Sequence, residues 1–424
     1  MFRSAGARRP WLECVFAHLQ IYDRRERRLI GLADAGLRLV APLVRRRRPR
    51  RSPVPPGRIL LLRLERIGDL IMTLGAIREV RLACPDAQID LVVGSWNHPL
   101  ATLIDEVDQV ETLDAPWLAR GAEGAGSRDL LRAARHWRAR RYDVAINFEA
   151  DIRSNLLAAA SAAPIVAGFA SAGGGPLLDV ALTPGEREHT ASRTIRLVRT
   201  VFARPPSMEG AGAPTCPSPR LHLRERTDLP AALAGTSSTR GGPAWTIGVH
   251  AGAGRQVKQW PPDRFASTVN TLADNYTIRV VLTGNEADRK LADRIKERFQ
   301  PGIPVIDLVG LQNLLELASV LEHVDVMISC DTGPMHLASA VGTPVVGVFG
   351  PSDPCRYAPL GDLTRIVRVD LPCSPCNRIR LPPVRCRGIV PDCLRGVEVG
   401  AVVAAVDGLL TMLAEHGDAD RREG

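Results

Sequence analysis

Apolar positions in this chain come in short runs separated by longer stretches of helical spacing. Residues 59–62 are four consecutive apolar residues, the mark of a strand buried on both faces of a parallel sheet. Gly68 and Asp69 follow, and then apolar residues at helical spacing through Ile77 and Val80. Residues 89–93 and 144–148 read as the next strands. A second series begins at Trp245, with strands predicted at 246–250, 278–282, 305–307, 326–329 and 344–349 and helical patterns at 263–274 and 314–322. Strands alternating with helices predict an α/β fold with two doubly wound parallel sheets.

Between the two series, residues 204–243 are rich in Pro, Gly, Ser and Thr, including Pro205-Pro206, and read as a linker. The predicted layout is therefore an extension over 1–57, a first domain over 58–203, the linker, a second domain over 244–412 and a tail over 413–424. Within the extension, Trp11, Leu12, Val15, Phe16 and Leu19 recur at helical spacing. Leu29, Ile30, Leu37 and Val40 do so less regularly.

Charge sharpens this division. Residues 1–57 hold fourteen Arg and no Lys against Glu13, Asp23, Glu26 and Asp34, a surplus of +10; the +9 of the whole chain leaves −1 for the rest. A near-neutral body argues against nucleic acid, whose binders carry their basic stripe on the folded surface. Arg45 to Arg48, Arg50 and Arg51 form a cationic run. Two readings stand: an interfacial helix with a polybasic patch on anionic lipid, or a solvated, partly disordered tail. No secretory signal and no run of 18 apolar residues is evident, so a cytosolic location is expected, peripheral on the inner face of the cytoplasmic membrane if the extension binds lipid.

Five constellations carry candidate chemistry. In the first, a strand ends at His250 and runs into Ala251-Gly252-Ala253-Gly254, with Lys258 beyond. Two glycines let backbone N–H groups approach an anion, and Lys258, one of only three lysines, adds a point charge. The spacing is not that of a P-loop. In the second, Asp331, Thr332, Gly333, Pro334, Met335 and His336 follow a strand and open a helix. Thr332 is placed to cap and Pro334 suits the first turn, so the positive helix end faces a bound anion such as a diphosphate.

The third is Thr283-Gly284-Asn285-Glu286 after another strand, where Glu286 either accepts from a ribose diol or is a first-turn helix acid. The fourth is Arg66-Ile67-Gly68-Asp69, in which Asp69 is a general base or an ordinary N-terminal helix acid. The fifth is Cys373, Cys376, Cys386 and Cys393, four of nine cysteines. These could hold a structural Zn²⁺ or an iron–sulfur cluster, or stand as unligated thiols or disulfides.

Taken together, Arg58 to Thr73, His250 to Pro261 and the block Asp331 to His336, followed by Gly342-Thr343-Pro344 and Phe349 to Pro354, resemble glycosyltransferase family 9, the ADP-heptose:lipopolysaccharide heptosyltransferases. The resemblance covers about residues 58 to 412. It implies a GT-B architecture, two Rossmann-like domains facing across a cleft, with the acceptor on the first and a nucleotide-sugar donor on the second. It also implies a last helix, near 397 to 414, packing back toward the first domain. By the same resemblance Asp69 is the general base and Lys258 neutralises the departing diphosphate. Gly252, Ala253, Gly254, Asp331, Thr332, Gly333, Pro334, Met335 and His336 hold the donor, and Glu286 holds its ribose.

The implied reaction is inverting, independent of metal and of any catalytic cofactor, and transfers heptose to a lipopolysaccharide-type acceptor at a membrane surface. Glu149, Asp151 and Arg153, with His189 and Arg193 beyond, are candidate acceptor contacts. Departures are Ala253 and Gly254, where some members carry hydroxyl residues, and the Arg-rich extension and Cys cluster, which are not general features. Alternatives are a GT-B enzyme of another donor, an epimerase, or a non-catalytic membrane-surface scaffold.

Overall fold

The computed structural model describes residues 16, 19–46, 48, 55–118, 124, 126–202, 221, 244–310 and 313–423. The Trp11 to Val15 segment and nearly all of the predicted linker lie outside them.

Two six-stranded sheets, parallel throughout, form the frame. The first contains β1 (Arg58–Arg63), β2 (Gln88–Val93), β3 (Gln109–Thr112), β4 (Val144–Asn147), β5 (Ile165–Phe169) and β6 (Val180–Leu182), in the order β3-β2-β1-β4-β5-β6. The second contains β7 (Trp245–His250), β8 (Ile278–Leu282), β9 (Val305–Asp307), β10 (Val326–Cys330), β11 (Val345–Val348) and β12 (Thr364–Val367), in the order β12-β11-β10-β7-β8-β9. The two-domain α/β fold expected from the sequence is present.

The central strands are those whose residues are apolar on both faces. Ile59 to Leu62 are fully buried in β1, with Ile59 in register with Ile89 on one side and Val144 on the other. In both sheets the winding reverses beside the first strand, between β1 and β4 and between β7 and β10. Helices then leave to opposite faces and a crevice opens at the strands' carboxyl ends. The loops after β1, β7 and β10 all emerge at these switch points.

The last helix, Val399–Glu423, corrects one expectation. Val402, Val406, Leu409, Leu410 and Leu413 are buried in the core of the second domain, and Tyr276 Oη donates to Asp407. Their apolar spacing matches the exposed face of the second sheet, so burying them there removes the driving force for packing on the first domain.

Part of the extension is built into the first domain. The Arg24–Arg46 helix lays Leu37 and Ala41 on Ala159 and Leu177. Asp34 Oδ1 accepts from Gly174 N at 2.6 Å. Arg45 donates to Leu178 O. Buried Arg48 pairs with Asp179 at 2.6 Å and donates to Leu177 O at 2.8 Å. These residues are not a free tail. Arg48→Ala should destabilise the first domain by about 3 kcal/mol, because it strands a poorly solvated carboxylate. An earlier first transition in thermal unfolding is the expected readout, and an unchanged melt would show that the docked helix adds nothing.

Candidate active site

Three loop–helix junctions bring the predicted residues together. After β1 the chain turns through Leu64 to Arg66 into the short Ile67–Ile71 helix. After β7 it runs through Gly252–Gly254 to a single turn, Gln256–Lys258. After β10 it enters the Gly333–Ala340 helix with Thr332 at the N-cap in extended conformation. The Thr332 hydroxyl makes no capping bond, contrary to the sequence expectation, so the positive end of this helix keeps its capacity for an outside acceptor.

The helices starting at Ile67 and Gly333 meet across the domain boundary. A β-carbon on Gly68 would stand 2.6 Å from the His336 ring, and one on Gly333 would stand 3.1 Å from Ile67 Cβ. Side chains there would hold the domains apart. Further bonds join the domains: His189 Nε2 meets Ala358 O at 2.9 Å, and Arg187 meets Cys355 Sγ at 3.0 Å and the Asp353 carboxylate at 3.6 Å.

Between the domains lies a cavity of about 660 Å³, within the range of small-molecule and cofactor sites. Asp69, Gly252, Ala253, Gly254, Lys258, Asp331, Thr332, Gly333, Pro334 and His336 all line it. Lys258 Nζ pairs with Asp331 Oδ2 at 2.8 Å. This pair holds the ammonium at the cavity wall beside the start of the Gly333–Ala340 helix. His336 and His250 are buried, which lowers each pKa to about 4 and keeps both rings neutral near pH 7. His250 Nδ1 is fixed by Thr283 Oγ1 at 3.1 Å.

Asp69 is held from three sides. Its Oδ1 pairs with Arg63 Nη2 at 3.3 Å, its Oδ2 accepts from Arg66 N at 3.2 Å, and its carbonyl accepts from Arg63 Nε at 3.1 Å. Arg63 is fully buried at the end of β1 and also donates to Phe148 O and Glu65. Sequence reading missed Arg63, because an Arg ending a strand looks like a surface residue until both neighbouring strands cover it.

Other expected residues fall elsewhere. Met335 is fully buried and packs in the core against Gly347. Glu286 is exposed, its carboxylate set over Gly310, while Asn285 and Asp288 of the same turn line the cavity. A β-carbon on Gly252 would stand 2.5 Å from the Asp288 carboxylate. Asp288 had a legible signal, a second acid three residues past Asn285. Arg66, Trp96, Asn313, Ser352, Tyr357 and Asn377 also reach the wall.

The expected acceptor contacts do not line this cavity. Glu149 is buried, accepting from Leu64 N and from Ser154 Oγ. Burial, then the charge of Glu65, pushes its pKa up to about 8. Asp151 caps the Ile152–Ala160 helix and pairs with Arg153 at 2.6 Å. Arg153 stacks on Trp117. Glu149 is thus a support under the turn that leads into the Asp69 helix, because an acid at a buried strand end is pulled onto backbone donors.

Cys373, Cys376, Cys386 and Cys393 line one separate cavity of about 380 Å³. All four are free thiols. Among the described residues no group of three or more His, Cys, Asp or Glu is arranged to hold a metal ion. The zinc expectation therefore meets a shared cavity and not a formed coordination shell.

The model of "Glycosyltransferase family 9 (heptosyltransferase)" matches residues 130–382. The lipopolysaccharide core heptosyltransferase OpsX of Haemophilus influenzae is 22% identical over 325 residues, which cover 74% of this chain and 85% of that protein. Two solved structures share the fold. The E. coli ADP-heptose lps heptosyltransferase II gives a TM-score of 0.64 at 20% identity, over 84% of this chain and 99% of that one. The E. coli heptosyltransferase WaaC with ADP-2-deoxy-2-fluoro heptose gives 0.56 at 21% identity, over 74% and 93%. With a family match across more than half of its length, and with the cleft just described, the chain belongs to glycosyltransferase family 9 and is a glycosyltransferase.

Proposed function

We propose that this glycosyltransferase moves heptose from ADP-heptose to a lipopolysaccharide core acceptor, inverting the anomeric centre and needing no metal. The carrying observation is that Asp69 of one domain and Lys258 with the Gly333–Ala340 helix start of the other line a single cavity. A base and an anion seat face each other there, which is what a one-step displacement requires. The donor sugar and the acceptor class rest on the relatives, whose names specify heptose and lipopolysaccharide.

The proposed reaction uses these residues as follows. The donor pyrophosphate sits at the Gly333–Ala340 helix start, where backbone dipoles and Lys258 face it. Lys258 shifts from Asp331 to the phosphate as negative charge grows on the leaving group. The acceptor oxygen attacks the anomeric carbon from the side opposite the pyrophosphate. The new C–O bond forms, the sugar–phosphate bond breaks and ADP departs. Asp69 takes the hydroxyl proton, its carboxylate kept in place by Arg63 and the Arg66 N–H. Neutral His336 fills the space between the domains without adding a charge that would compete with Lys258.

Incubation with ADP-heptose and core acceptor should release ADP and add one heptose to the acceptor mass. Turnover only with other nucleotide sugars would reject the donor assignment. Asp69→Asn should lower kcat by about 10³-fold while leaving donor affinity intact, since general-base loss acts on the transition state. Wild-type turnover in that variant would remove Asp69 from the chemistry. Lys258→Ala should reduce kcat by about 10²-fold through lost charge stabilisation, measured under donor saturation. Gly68→Ala should cut kcat/KM by about 10²-fold, because a β-carbon against His336 displaces the base relative to the donor. Retained activity there would mean that the two helix ends need not touch during turnover.

A further inference from the structure

One face of the Arg24–Arg46 helix is exposed and packs on none of the described residues' core clusters. Its inner face, Ile30, Asp34, Leu37 and Ala41, is turned to the first domain. On the other side Leu29 is 68% exposed, Leu32 64%, Leu39 81% and Leu43 60%, with Val40 beside them. The spacing of 29, 32, 36, 39 and 43 places these residues, with Gly36, in one stripe along more than three turns. Single exposed leucines are ordinary, but a contiguous stripe on a helix already docked by its opposite face asks for a partner.

Charge says which partner. Arg25 lies one turn before Leu29, Arg28 one turn before Leu32, and Arg46 one turn after Leu43, and all three are exposed. The stripe is thus bounded by cations at both ends, inside a segment with a +10 surplus. A second copy of the chain would bring the same arginines against each other. An anionic lipid surface accepts both the leucines, below the headgroups, and the arginines, at phosphate level. Among the described residues no helix is long and apolar enough to cross a membrane, so the contact is with the surface.

Position supports this. Gln20, four residues before the helix, donates its N–H to Ser171 O at 2.7 Å, just past the carboxyl end of β5. The helix therefore begins at the same carboxyl edge of the first sheet that carries Asp69.

We infer that the exposed leucine stripe of the Arg24–Arg46 helix seats the first domain on an anionic membrane surface. Resting on the proposed reaction, this brings the acceptor-side domain to a lipid-linked substrate. The test does not need that reaction to be right. Full-length protein is mixed with vesicles of phosphatidylcholine alone or with phosphatidylglycerol added, at low and high salt, and bound protein is measured by flotation.

Wild type should float with the anionic vesicles, less so at high salt. Leu32→Ser, Leu39→Ser and Leu43→Ser together should weaken binding by at least about tenfold, with an unchanged melt and unchanged turnover on a delipidated acceptor. Arg25→Gln, Arg28→Gln and Arg46→Gln together should remove the preference for anionic lipid. Wild type failing to float, or the leucine variant floating as wild type does, overturns the inference. So does sedimentation showing a wild-type dimer that becomes monomeric in the leucine variant, since the stripe would then serve a second copy. Loss of heptosyl transfer with flotation intact would instead count against the proposed reaction alone.

Discussion

The contact between Gly68 and His336, with Gly333 against Ile67 beside it, sets the geometry of everything else. Each is a helix start pressed against a helix start from the other domain. Such ends usually stay apart, because each carries partial positive charge and unsatisfied N–H groups. Here Asp69 and Asp331 sit at the two junctions and supply the opposite charge. Glycine on both sides lets the backbones approach, and the space left beside them is the cavity lined by both Asp69 and Lys258. The same arrangement leaves the start of the Gly333–Ala340 helix without a side-chain cap, open to an outside acceptor.

Around Asp69 the protein has assembled an unusual density of buried charge. Arg63 binds Asp69, Glu65 and a backbone carbonyl at once, and Arg193 is buried nearby, stacked on Phe169. Glu65 is pushed above the ordinary carboxylate range by burial and by Asp69. Isolated charges of this kind would be costly. They are tolerated because each carboxylate faces a guanidinium or a backbone N–H. The result is a carboxylate whose position is set by two donors, Arg63 Nη2 and the Arg66 N–H, a more exact placement than a solvent-exposed acid attains.

The sequence was legible where local physics and burial agree. Ile59 to Leu62 could only be a buried strand, and the glycine loop after His250 and the Thr332–Pro334 helix start could be placed by backbone rules alone. The strands β3, β5, β6 and β12 were not read from the sequence. β3, β6 and β12 are short edge strands, partly exposed, and show no clear apolar run or clean alternation; β5 is buried, but its apolar run is broken by Gly168.

Side-chain destinations show the same limit. Glu149 and Arg63 were unreadable as supports because their meaning depends on neighbours some 85 positions away in the chain. Lys258 and Asp331 were readable as candidates at strand ends, but not as a pair, since 2.8 Å is a fact of folding. The chain by itself determined the two sheets, the loops at their carboxyl ends and the chemical types placed on them. Only the tertiary structure decided which carboxylate faces the cavity, which is buried beneath it, and which leucines of the first helix remain outside. Those outcomes depend on contacts between distant segments, and local spacing carries no information about them.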